Sequence, residues 1–191
     1  MRRFLSILAL AVLTGCAATP ISGVGFLSSG IGTGEYATYT QWNENYAVTV
    51  SHYSGYLDSQ YQSSRLDVKF FKNQTKNGVR QWADIKTNEI VQMAGFIEEG
   101  KEFNIMQGRV ARETITINNQ AVYRLITGAL IPGMSGGPVL NAQGQVVGIN
   151  VGYSTRKIAV DSQKGSYSLI LPYSEIKKEW ETYKLTLNQL R

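Results

Sequence analysis

Short apolar runs separated by polar turns recur along most of the chain, and they predict strands. Tyr36–Trp42 alternates tyrosine, threonine and glutamine, and Ala47–Ser51 is apolar and β-branched. Leu66–Lys72, Glu89–Gly95, Lys101–Asn118 and Ala121–Thr127 read the same way, with Lys101–Asn118 as one bent strand or two short ones. Val139-Leu140 and Val146-Val147 flank the turn Asn141–Gly144 and predict a hairpin. Tyr167–Leu171 predicts a last strand before Pro172. Asn73–Gly78, with Asn-Gly inside it, is a turn. The period then changes. After Ser174, suited to a cap, and Glu175, suited to a first turn, Ile176, Trp180, Tyr183, Leu187 and Leu190 fall at helical spacing. The pattern predicts a mainly β sandwich or barrel with a C-terminal helix laid against it. No repeat of fixed period points to a propeller or solenoid.

The first residues follow another logic. Met1-Arg2-Arg3 is basic, and Phe4–Leu13 is an apolar run too short to stand as a membrane-spanning helix. It ends in Leu13-Thr14-Gly15-Cys16, which resembles a bacterial lipobox. That resemblance implies a signal peptide over residues 1–15, cleavage before Cys16 and lipid attachment to Cys16. Cys16 is the only cysteine, so no intramolecular disulfide can form. Ala17 resembles the sorting pattern of outer-membrane lipoproteins, so the expected place is the cell envelope, on the outer membrane facing the periplasm or the cell surface. Residues 16–34 are expected to form a lipidated cysteine and a flexible tether, rich in Gly, Ser, Ala and Thr. Part of the tether, around Ile21–Leu27, is alternatively read as a first docked strand. Residues 35–191 then form the folded domain.

The formal charge of +5 includes Arg2 and Arg3, which leave with the signal. The remaining mild basic excess is spread along the chain. No long Lys/Arg run and no aromatic-basic module appears, so no nucleic-acid partner is expected.

Chemistry concentrates in Gly133-Met134-Ser135-Gly136-Gly137-Pro138-Val139-Leu140 and the hairpin after it, ending Gly148-Ile149-Asn150. A serine between glycines can be presented from a tight turn, and small neighbours let a substrate carbonyl come close. Such a turn can aim the N–H groups of Gly133 and Ser135 at one point, as an oxyanion hole requires. A serine nucleophile needs a base, and the chain has one histidine, His52. The acid partner is expected between them. Asp67, in Leu66-Asp67-Val68-Lys69, is the first candidate, and Asp84, in Trp82-Ala83-Asp84-Ile85, is the rival.

Gly-x-Ser-Gly-Gly-Pro followed by an apolar pair, a turn and Gly-Ile-Asn resembles the nucleophile region of chymotrypsin-like serine proteases, most of all the HtrA-type and trypsin-like branches. Thr49-Val50-Ser51-His52 resembles the family's strand ending in its histidine. Asp67-Val68 resembles its acid motif, with Lys69 in place of the usual small residue and a shorter His-to-Asp connection. The order His, Asp, Ser is the chymotrypsin order, and no helical pattern follows Ser135 as in the α/β-hydrolases. The resemblance implies a chymotrypsin-like double β-barrel with a C-terminal helix and no room after it for a PDZ domain. It implies a serine endopeptidase acting on polypeptides, with His52, Asp67 and Ser135 as triad and Gly133 and Ser135 as oxyanion donors. It places Ala129, Asn150 and Val151 at the pocket for the side chain before the scissile bond. Ala129 stands where trypsin-like members carry an aspartate, which implies a preference for small or medium aliphatic side chains. No metal or organic cofactor is expected. The alternative is a catalytically silent fold of the same class that binds partners at the cell envelope.

Overall fold

The computed structural model describes residues 18–30, 34–58, 60–75, 78–97, 102–117, 121–160 and 163–189. The signal segment, Cys16 and Leu190 lie outside them. Among the described residues no helix is long and apolar enough to cross a membrane. The N-terminal half is a five-stranded antiparallel sheet in the order β1 (Val24–Ser28), β2 (Tyr36–Gln41), β3 (Tyr46–Thr49), β5 (Lys69–Lys72), β4 (Tyr61–Gln62). The C-terminal half is a closed six-stranded barrel. Its order is β10 (Val146–Val160), β11 (Gln163–Pro172), β8 (Ala121–Thr127), β7 (Glu102–Ile117), β6 (Ile90–Ile97), β9 (Pro138–Leu140). Helix α1 (Tyr173–Gln189) follows. The architecture is mainly β with a C-terminal helix, as the pattern implied. The first half differs from a closed barrel because it ends at β4, which is only two residues long.

Three local expectations change. The segment read chiefly as tether contributes β1, which pairs with β2 from Val24↔Thr40 to Ser28↔Tyr36. Phe26 fixes it, packing against Tyr36 and Phe96 at 6.3 and 6.0 Å between ring centres. Asp67 precedes β5 rather than lying within the strand. The helix begins at Tyr173, so Ser174 lies in its first turn and not at its cap.

The stripe on α1 is buried as its spacing implied: Ile176 is 0% and Tyr183 5% exposed, and Trp180 and Leu187 pack against the same core. Burying a side chain of this size contributes about 1.5–3 kcal/mol. Trp180 meets Phe70, Tyr46 and Trp42, and Trp42 meets Trp82, so one aromatic cluster joins the helix, the first sheet and the segment between the halves. The helix also grips the loop before β5. Glu179, buried on α1, pairs with Arg65 and accepts a long hydrogen bond from Tyr61 Oη at 3.4 Å.

Candidate active site

The Ser135 turn is wedged between the two halves. Gly133 and Gly136 have φ of +97° and +84°, the left-handed region that an L side chain rarely adopts. Space is as restrictive as angle. A Cβ on Gly136 would stand 2.0 Å from Thr38 O, and one on Gly137 would stand 2.1 Å from Ala94 O. The first sheet then ties the turn down with threonines. Thr38 Oγ1 donates to Gly133 O at 2.7 Å and accepts from the Phe96 N–H at 2.9 Å. The Thr38 N–H donates to Ser135 O at 2.8 Å, and Thr40 Oγ1 to Gly136 O at 2.9 Å. Thr49 Oγ1 donates to Thr38 O at 2.7 Å and braces the same strand. From the barrel, the Gly136 N–H donates to Asn150 O and the Asn150 N–H to Gly137 O. With the carbonyls of Gly133, Ser135 and Gly136 engaged, the N–H groups of Gly133 and Ser135 remain without a protein partner among the described residues. Ser135 Oγ donates to Val151 O at 3.1 Å.

His52 and Asp67 are brought together. His52 follows β3, between buried Val50 and buried Tyr53, which leaves its own side chain 54% exposed. Asp67 sits between Leu66 and Val68, both buried, in a loop shaped by Ser63. Ser63 Oγ accepts from the N–H groups of Arg65 and Leu66 at 3.1 and 3.0 Å. With its neighbours anchored inward, the carboxylate meets the imidazole: His52 Nδ1 to Asp67 Oδ2 is 2.6 Å. Oδ1 accepts from the His52 backbone N–H at 3.0 Å and from Ser51 Oγ at 2.7 Å. Burial alone would raise the Asp67 pKa, but the hydrogen bond and charge of His52, together with Ser51 and the backbone donor, outweigh it and hold the carboxyl below its ordinary value.

Lys69 replaces the small residue expected after the acid motif. It is 3% exposed, and its Nζ donates to Tyr53 O at 2.6 Å, closing the loop that follows His52. Burial pushes its pKa down and the charge of Asp67 opposes that. Tyr123, on β8, accepts from the Asp67 N–H at 3.1 Å. Asp84 is elsewhere: it lines a cleft of about 400 Å³ with Ile85, Val122, Arg124, Pro172 and others, none of them a candidate site residue.

At the expected pocket, Ala129 is half-buried and Val151 is 8% exposed. Asn150 is fully buried, and its Nδ2 donates to Ala94 O at 2.9 Å and Met134 O at 3.3 Å, holding the Ser135 turn from behind. A buried amide N–H needs an acceptor, and these two carbonyls supply it. Sequence reading missed the roles of Thr38, Thr40, Thr49 and Tyr123. Threonine and tyrosine are ordinary strand formers, and only their burial sets these four apart.

The model of the trypsin-like peptidase domain matches residues 60–149, a span that holds Asp67, Gly133 and Ser135 and stops short of His52 on the N-terminal side. The fold is that of a trypsin-like peptidase. Among solved structures, Rv3671c from M. tuberculosis H37Rv, a serine-to-alanine mutant in its inactive form, is 18% identical with a TM-score of 0.64. That match covers 85% of this chain and 86% of the other. The MamO protease domain from Magnetospirillum magneticum is 18% identical with a TM-score of 0.58, covering 82% and 94%. A serine-to-alanine variant of the HtrA-type protease AlgW, solved with a tripeptide, is 16% identical with a TM-score of 0.63. That match covers 84% of this chain and 60% of the other. No curated protein matches the sequence significantly.

Proposed function

We propose that this trypsin-like module is a serine endopeptidase held at the cell envelope by lipid on Cys16. The observation that carries the reading is the His52 Nδ1–Asp67 Oδ2 contact of 2.6 Å, in a fold whose Ser135 turn keeps two N–H groups free. With Nδ1 committed to the carboxylate, Nε2 is the imidazole nitrogen left to accept a proton. Ser135 Oγ leaves Val151 O by rotation about χ1, gives its proton to Nε2 and attacks the scissile carbonyl. The oxygen of the tetrahedral intermediate takes the N–H groups of Gly133 and Ser135, whose positions are fixed before substrate arrives. His52 returns the proton to the leaving amine, and a water repeats the cycle on the acyl-enzyme. Asp67, ionised wherever imidazole titrates, holds the tautomer and stabilises the imidazolium. A polypeptide substrate fits the likeness to AlgW, which was solved with a tripeptide. Ala129 and Val151 present no charge to the side chain before the scissile bond, which favours small or medium aliphatic residues there.

The lipid anchor rests on Leu13-Thr14-Gly15-Cys16. With β1 beginning at Val24, the link between Cys16 and the fold is at most seven residues. At about 3.3–3.6 Å per residue it keeps the module within about 25 Å of the membrane surface.

A second reading, a silent module that binds without cleaving, is favoured by one contact: Ser135 Oγ donates to Val151 O. Hydrolysis of a fluorogenic peptide library separates the two. The endopeptidase reading expects turnover that is lost in Ser135→Ala and His52→Ala while both variants keep the wild-type melting curve. Turnover that survives Ser135→Ala overturns it.

A further inference from the structure

The carboxylate of Asp67 is held by its own sheet, through Ser51 and the backbone of His52. Its main chain is held from the other half of the molecule. Segment 63–68 largely satisfies itself: Ser63 Oγ takes the N–H groups of Arg65 and Leu66, the Ser63 N–H donates to Val68 O, and the Val68 N–H turns back onto Leu66 O. The Asp67 N–H finds no partner there. A main-chain donor flanked by two buried residues needs one. It is met by Tyr123 Oη at 3.1 Å, from a strand of the closed barrel 56 positions away.

Tyr123 is placed for that contact. It is 3% exposed, and its ring belongs to the hydrophobic cluster built mainly from the first sheet, with Val50, Tyr53, Leu66 and Val68. Val151, whose carbonyl receives the Ser135 hydroxyl, is in the same cluster. The Tyr123 side chain therefore reaches from the barrel into the core beneath His52 and Asp67.

We propose that Tyr123 is a positioning residue for the catalytic acid, an inference that rests on the hydrolase reading: its hydroxyl fixes the main chain of Asp67 to the barrel and so sets how Oδ2 meets His52 Nδ1. It moves no proton and touches no substrate. Alignment of acid and base then depends on how the two halves dock, and not on the first sheet alone.

The sole histidine makes the test direct, because any imidazole signal in the full chain belongs to His52. In Tyr123→Phe the ring stays and the hydroxyl goes. Loss of one hydrogen bond predicts a fall in kcat of about threefold to tenfold with KM unchanged. The low-field proton resonance of His52 Nδ1 is expected to move upfield and to exchange faster with water. Ile126→Val, a mild core change on the same strand, is expected to leave that resonance where it is. In an Asp67→Asn background, Tyr123→Phe is expected to cost no further activity, because it acts through the lost carboxylate. Wild-type kcat with an unmoved Nδ1 resonance overturns the proposal, and so does a loss that multiplies with that of Asp67→Asn. If the wild-type chain cleaves no peptide, the hydrolase reading falls on its own, and the Nδ1 resonance still decides whether Tyr123 governs the pair.

Discussion

Ser135 lies on a turn closed by main chain, with Gly136 and Gly137 pressed against carbonyls of both halves and three buried threonines holding the turn or its supporting strand. His52 and Asp67 are more open, with side chains 54% and 25% exposed, and are aligned by hydrogen bonds that the side chains of Ser51 and Lys69 donate and those of Ser63 and Tyr123 accept. The difference separates two ways of fixing a reactive group. A turn built from close backbone contacts is rigid because little else fits. A pair built from side-chain contacts is aligned by several bonds of modest individual worth, each about 0.5–1.5 kcal/mol. Substitutions of the turn's glycines and of the threonines that hold it are therefore expected to act on folding, and substitutions around the pair mainly on turnover.

The sharpest break in that comparison is Gly136→Ala. The new Cβ would stand 2.0 Å from Thr38 O and 2.3 Å from Thr49 Oγ1, at a φ of +84°, so backbone on both sides must move. The expected cost is on the order of the whole stability of a domain, about 5–15 kcal/mol, and the variant is expected to show no cooperative melt. Gly144→Ala is the control. Its φ is +73°, but the nearest atom is the Arg80 guanidinium at 3.6 Å, an ordinary contact distance, so only the left-handed strain of about 1–2 kcal/mol applies.

On the other side, Asp67→Asn is expected to lower kcat by about 10⁴ through the wrong tautomer while the chain still folds. Asp84→Asn, in its separate cleft, is expected to stay within about twofold of wild type. Crippled turnover in Asp84→Asn with normal turnover in Asp67→Asn would reverse the assignment. The lowered pKa of Asp67 adds a pH signature. Its ionised form contributes stability that is fully present above the unfolded value of about 3.9 and is lost as the pH falls through the lower folded value. Urea melts at pH 7 and pH 2 are expected to show wild type more stable than Asp67→Asn at pH 7 and the gap narrowed at pH 2. A gap that stays constant contradicts the ionised pair.

Thr38→Val is the smaller test of the turn. The shape is kept, but Gly133 O and the Phe96 N–H lose their partner. Each orphaned group costs about 1–3 kcal/mol. Chemical denaturation is expected to show that loss, and a change below about 0.5 kcal/mol would mean that water replaces the hydroxyl.

The same contrast explains what the sequence disclosed. The glycines around Ser135 are demanded by local geometry, so their requirement is written locally. His52 was legible because the chain has no other histidine. The barrel strands and the apolar stripe of α1 followed from period, since each buries a regular set of side chains. The supports did not. Ala37 and Thr38 are neighbours on β2 and both are buried, because that strand packs on its own core on one face and on the Ser135 turn on the other. Alternation cannot reveal a strand covered on both faces. Tyr123 reads as a strand tyrosine until its partner, 56 positions away, is known. The contacts of Asn150 are equally hidden, since its amide turns inward to carbonyls that only the folded chain brings near. Strand β1 was obscured by the Gly- and Ser-rich composition around Val24 and Phe26, and β4, at two residues, has no period to read.

The endopeptidase reading stands or falls with Ser135 as a nucleophile activated by His52. Covalent labelling of the folded chain with a fluorophosphonate, followed by mass spectrometry of the digest, tests this. One label per chain is expected on the peptide containing Ser135, lost in Ser135→Ala and strongly slowed in His52→Ala. A folded wild-type chain that takes no label, or takes it equally well without His52, would contradict it.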